Sequence, residues 1–189
     1  MKRITLSLLG AALLIAGCVV NSVYPFYTAK DLTFDPALVG TWSDPEETNA
    51  NKETWTFEKI APQTYKLTTR NSGETNEFDT HLFTLGGQKF LDSLPRFRAA
   101  YHTPEHFLLR VKSITPTLKL ELLDYEWLAD HLEHNPRALR HIIVPPEVGD
   151  ARDKGTLSLT AETAELQKFL RQQLANTNAW SEPMVMQKQ

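Results

Sequence analysis

Over residues 39–124 apolar and polar positions alternate in short runs, each closed by a turn signal. The segments are 53–58 (ETWTFE), 64–70 (TYKLTTR), 78–85 (FDTHLFTL), 89–94 (KFLDSL), 106–114 (HFLLRVKSI) and 118–123 (LKLELL). Between them fall Asn71-Ser72-Gly73-Glu74, Gly86-Gly87, Pro95 and Thr115-Pro116-Thr117. A period of two puts one face of each strand on a core, and short turns join neighbours antiparallel. With a first strand opening at Val39-Gly40-Thr41-Trp42, about seven short strands result. The expected class is mainly β with C-terminal helices (α+β). Its antiparallel meander forms a calycin-like or half-open barrel packed by one or two helices.

Helical signals flank this block. Asp35 before Pro36 suits a short capped turn within residues 31–38. Asp124 caps a predicted helix through residue 133, with Tyr125, Leu128 and Leu132 on one stripe. A short turn is expected over 138–143, ended by Pro145-Pro146, then a charged loop over 147–154 and a strand over 156–159. Thr160 is the expected cap of a helix over 161–174, whose Leu166, Phe169, Leu170 and Leu174 face the sheet. Residues after Ala175 read as frayed.

The N-terminus carries a different signal. Met1-Lys2-Arg3 is followed by an uncharged apolar run over residues 4–16, too short for an ordinary membrane span. Leu14-Ile15-Ala16-Gly17-Cys18 ends it, and Cys18 is the single cysteine. These five residues resemble the lipobox of bacterial lipoproteins. The resemblance implies that the Cys18 sulfur receives a diacylglyceryl group, that cleavage precedes Cys18, and that the new amine is acylated. More than one acyl chain is what stable anchoring needs. Val19, where an aspartate favours inner-membrane retention, points to the outer membrane, with the domain facing the periplasm. The expected organisation is a signal peptide over 1–17, a lipidated tether over 18–30 and one β-rich domain over 31–189. Tyr24, Phe26 and Tyr27 either pack on that domain or sit at the lipid interface.

Gly40-Thr41-Trp42, after the capped turn and at the head of the strands, is similar to the G-x-W element of lipocalins and related calycin barrels. The resemblance implies an eight-stranded barrel closed at one end by Trp42, enclosing a small apolar ligand. Trp55, Phe57, Tyr65, Phe83 and Phe107 are the candidate lining residues, or else solid core. The middle-barrel T-D-Y motif of that family has no counterpart, since Asp124-Tyr125 leads into a helix.

Composition excludes several classes. A net charge of −3 without a basic run lacks the footprint of a nucleic-acid binder. One cysteine permits neither an internal disulfide nor a thiolate zinc cluster. His102-Thr103-Pro104-Glu105-His106 matches the H-x-x-E-H string of inverzincins, but Pro104 and the strand that follows break the helix this motif requires. His131 and His134, three apart on the predicted helix, supply two ligands without a third. Asp92, expected half-buried before Pro95, is read as a structural ion pair with Arg96 or Arg98. No nucleophile elbow or phosphate cradle occurs. The leading expectation is a non-catalytic binder of an apolar or amphipathic small molecule or lipid, without metal or cofactor. The alternative is an envelope scaffold without a pocket, using the tether aromatics and loop 147–154. A remote third is a hydrolase with a loop-built site.

Overall fold

A computed structural model describes residues 20–47, 52–96, 105–144 and 156–189. Cys18, His102, Arg98 and loop 147–154 lie outside these residues. The described chain contains twelve strands. They are β1 (Asn21–Ser22), β2 (Leu32–Thr33), β3 (Gly40–Ser43), β4 (Thr54–Ala61), β5 (Thr64–Asn71), β6 (Glu74–Leu85), β7 (Gln88–Pro95), β8 (His106–Ser113), β9 (Thr117–Leu122), β10 (His141–Val144), β11 (Thr156–Leu159) and β12 (Met184–Lys188). Helix α1 spans Tyr125–His134 and α2 spans Thr163–Gln173.

Eight strands form a closed antiparallel barrel in the order β3-β4-β5-β6-β7-β8-β9-β12, with β12 pairing back onto β3. Closure leaves the barrel without the exposed edges that an open sheet presents. Met184–Gln187 pair with β9 from Leu120 to Thr117, and Gln187 and Lys188 pair with Ser43 and Trp42. The expectation of a frayed end after Ala175 is therefore corrected. The segment MVMQK has one alternation too few to stand out, yet it is the eighth stave.

The barrel has two unlike ends. At one, the connections at residues 62–63, 86–87 and 114–116 are short, and the 3₁₀ turn Pro36–Leu38 lies across the opening. Gly86 and Gly87 both have positive φ, as a two-residue hairpin turn between twisted strands requires. At the other end β3, β7 and β9 stop and β4, β8 and β12 start, so the long connections 44–53, 96–105 and 123–183 leave and rejoin the barrel there.

Two cores result. Inside the barrel pack Leu38, Trp42, Phe57, Tyr65, Leu67, Leu82, Leu91 and Leu118. Outside, Phe83, Leu85, Phe90 and Leu108 of β6–β8 meet Leu128 and Leu132 of α1 and Leu166, Phe169 and Leu170 of α2. Strands β6–β8 are thus buried on both faces, which is why their alternation is interrupted in the sequence.

Other boundaries shift for local reasons. Asp124 caps α1 by accepting the Trp127 N–H at 2.8 Å, as expected. Helix α2 starts at Thr163 with Glu162 at its N-cap; the Thr160 N–H donates to the Arg140 carbonyl, which carries the β10–β11 pairing through residue 160. The expected turn over 138–143 gives way to β10, whose His141–Val144 run against β11. The β-branched Ile142 and Ile143 suit that pairing.

Candidate functional site

The barrel interior is the first candidate. Trp42 points inward and its indole N–H donates to the Leu38 carbonyl at 2.8 Å, tying the wall to the end turn. Asp35 caps that turn by accepting the Ala37 N–H at 3.1 Å and holds Lys89 at 2.8 Å. The Lys89 hydrogen bond comes first among the influences that keep the Asp35 carboxyl below its ordinary range; burial opposes it. The Tyr65 hydroxyl donates to the Asp35 carbonyl and accepts the Asp35 N–H. Lys188 lies over the Trp42 ring at 5.3 Å and donates to the Ala37 carbonyl. A side chain at position 40 would meet Lys188, and Gly40 adopts a φ of 134° that favours glycine.

Of the six expected lining residues, Trp42, Trp55, Phe57 and Tyr65 face inward and are buried against one another. Phe107 is partly buried against the same cluster toward the loop-bearing end. Phe83 does not belong to the lining. It sits one position beyond the inward-facing Leu82 and stacks on Phe90 outside the barrel, 5.4 Å between centroids. Leucines from the other staves pack in the same cluster, and Thr80 and Ser93, paired neighbours on β6 and β7, satisfy each other at 2.9 Å.

Near the loop-bearing end, Glu53 is buried and accepts the Trp55 indole N–H at 2.6 Å. Burial pushes its carboxyl above the ordinary range, and nearby Glu47 adds to this. Glu53 was not among the sequence candidates; its place one step before the inward Trp55–Phe57 alternation was the only signal.

The second candidate is a polar cluster on the outer face of β6–β8. Asp92 is fully enclosed. One carboxylate oxygen meets His106 Nδ1 at 2.7 Å, and the other accepts the Phe26 N–H at 2.8 Å. The expected partners are corrected: Arg96 pairs with Asp79 at 3.4 Å, while the β7–β8 register brings His106 beside Asp92. His81 lies opposite Asp92 in the β6–β7 ladder and contacts the Tyr27 hydroxyl at 3.1 Å and Thr64 at 3.3 Å. Burial lowers the His81 pKa, partly offset by the charges of Asp92 and Asp79. Burial first, then those same two carboxylates, raise Tyr27 to about 12.

This cluster fastens residues 20–33 to the barrel. Val20 is buried, and β1 pairs with both β8 and β11. Thr163 donates to the Pro25 carbonyl at 2.7 Å, and Gln167 donates to the Phe26 carbonyl and to Asp31. Phe26 is fully buried and Tyr27 packs on Phe83, so two of the three aromatics join the domain. The folded body thus reaches back to Val20. Chemically the cluster is a clamp. An aspartate–histidine pair needs a hydroxyl in line to act in acyl transfer. Ser22, opposite His106 in register, instead bonds the Leu159 carbonyl and the Tyr24 N–H.

His106 is thus committed to Asp92. His131 stacks on Trp127 at 5.0 Å, whereas His134 bonds the Asp130 carbonyl in solvent, so the two helical histidines do not converge. Among the described residues no group of three or more His, Cys, Asp or Glu is arranged to hold a metal. A third polar contact, the buried Arg110–Glu121 pair under Trp180, joins β8 to β9; Arg110 also donates to the Leu174 carbonyl at 3.2 Å. No family model, curated protein or solved structure matches the chain.

Proposed function

We propose that the chain is an envelope lipoprotein, anchored through lipidated Cys18, whose calycin-like barrel serves as a solid platform for binding another envelope protein. The carrying observation is the interior. Trp42, Phe57, Tyr65, Leu82, Leu91 and Leu118 are each nearly or wholly excluded from solvent by other protein groups. Ligand pockets are typically concave spaces of ~300–1,000 Å³, whereas here the space that a calycin-type ligand would fill holds side chains. The calycin assignment is supported by Gly40-Thr41-Trp42 in the first barrel stave, the end-closing turn before it and the meander order. The lipobox residues support the anchor, and Val19 supports the outer membrane.

A second reading keeps a small amphipathic ligand, held at the loop-bearing end. It is favoured by three groups toward that end, the partly buried Phe107 and Met184 and the buried Glu53. Native mass spectrometry of the lipoprotein, extracted gently from envelopes, separates the two. The platform reading predicts the lipidated chain without a further small-molecule adduct. A reproducible adduct of metabolite or lipid mass that is lost in Phe107→Asp would overturn it for the second.

A further inference from the structure

We propose that the β1–β11–β10 flank of the barrel lies directly on the bilayer, with Tyr24, Ile142 and Ile143 set against the lipid headgroups. The inference rests on the Cys18 anchor proposed above. Only Val19 separates Cys18 from Val20. Two residues reach at most about 7 Å. Val20 has no slack of its own, because it is buried and the next two residues are laddered between β8 and β11. Farther along, the Phe26 N–H is held by Asp92 and the Pro25 carbonyl by Thr163. An acyl group on Cys18 therefore brings the fold itself to the membrane.

The register fixes which part arrives. Strand β1 runs antiparallel to β8, so the step back from Ser22 to Asn21 goes from His106 to Phe107, inward from the loop-bearing end. On the other side Asn21 is level with Ser158, and Ser158 with Ile142, so the β1–β11–β10 flank lies beside the anchor. The same small sheet carries exposed apolar groups. Ile142 is 55% exposed, Ile143 48% and Tyr24 43%. Strand β10 pairs with β11 alone among the described residues, so these side chains flank a sheet edge. The Val23 N–H donates to the Leu159 carbonyl at 2.9 Å, and Leu159 pairs with His141, which places Tyr24 at the same corner. Aliphatic side chains gain by leaving water for the headgroup boundary, and tyrosine favours that boundary. Ile60 is exposed to a similar degree, 48%, but ends β4 at the opposite end of the barrel.

That pair of sites supplies the test. Because lipid caps the only native thiol, Ile142→Cys and Ile60→Cys each offer one labelling site in the full-length lipoprotein. Each variant carries an environment-sensitive fluorophore and is reconstituted in phosphatidylethanolamine–phosphatidylglycerol vesicles containing spin-labelled lipid. The expected result is several-fold stronger quenching at position 142 than at position 60. Equal quenching with a lipidated Cys18 peptide, checked by mass in the same sample, would overturn the membrane-facing placement alone. A Cys18 peptide without lipid would overturn the anchor and this inference together.

Discussion

Asp92 is enclosed on the outer face of β7 with both oxygens occupied, one by His106 and one by the Phe26 N–H. Replacing it with alanine strands a buried donor and a buried imidazole at once. Breaking a buried polar pair of this kind costs about 3 kcal/mol. Asp92→Ala is expected to lose about that much stability and to speed amide exchange at Phe26, because the clamp on residues 20–33 opens. A loss below about 1 kcal/mol with unchanged exchange would contradict the clamp. Tyr27 gives a pH signature at the same place. Its phenol is raised from 10 to about 12, so between these values the native state keeps a proton that the unfolded chain releases. Stability then falls as pH rises through that window. Urea unfolding below pH 10 and near pH 12 should show a shallower decline for Tyr27→Phe than for the parent; equal declines would contradict the assignment.

Among the elements, β12 decides whether the sheet is a barrel. It supplies both missing partners, β9 on one side and β3 on the other. Removing residues 184–189 exposes two edges and withdraws Met186 from the interior. The shortened chain is expected to unfold without a sharp urea transition and to form larger species on size exclusion. A monomer with the parent's transition would contradict the role of β12. This element was the least legible in the sequence: MVMQK carries two methionines and no aromatic residue, and its partners are distant in the chain. Strands β4, β5 and β9 were legible because inward apolar residues alternate with polar ones along each. Strand β10 differs from the expected turn because four residues are too few to show an alternation and its partner β11 begins twelve residues beyond Val144, with no local signal to mark the pairing.

For the whole molecule, the inner core followed from alternation, since Trp42, Trp55, Phe57 and Tyr65 all face the interior. The outward turn of Phe83 and the Asp92–His106 pairing did not, because both depend on strand register. Two apolar layers on β6–β8 also erase the pattern that would tell inside from outside. Register likewise set the course of residues 20–33, whose polar anchors come from β6, β7 and α2. The resulting molecule is a barrel filled by its own side chains, with the described chain entering along its flank between β8 and β11. Titration with the apolar fluorophore N-phenylnaphthylamine tests the filled interior most directly. The account predicts no saturable enhancement and no energy transfer from tryptophan. Stoichiometric, saturable enhancement with tryptophan-to-probe transfer would show a usable chamber and contradict it.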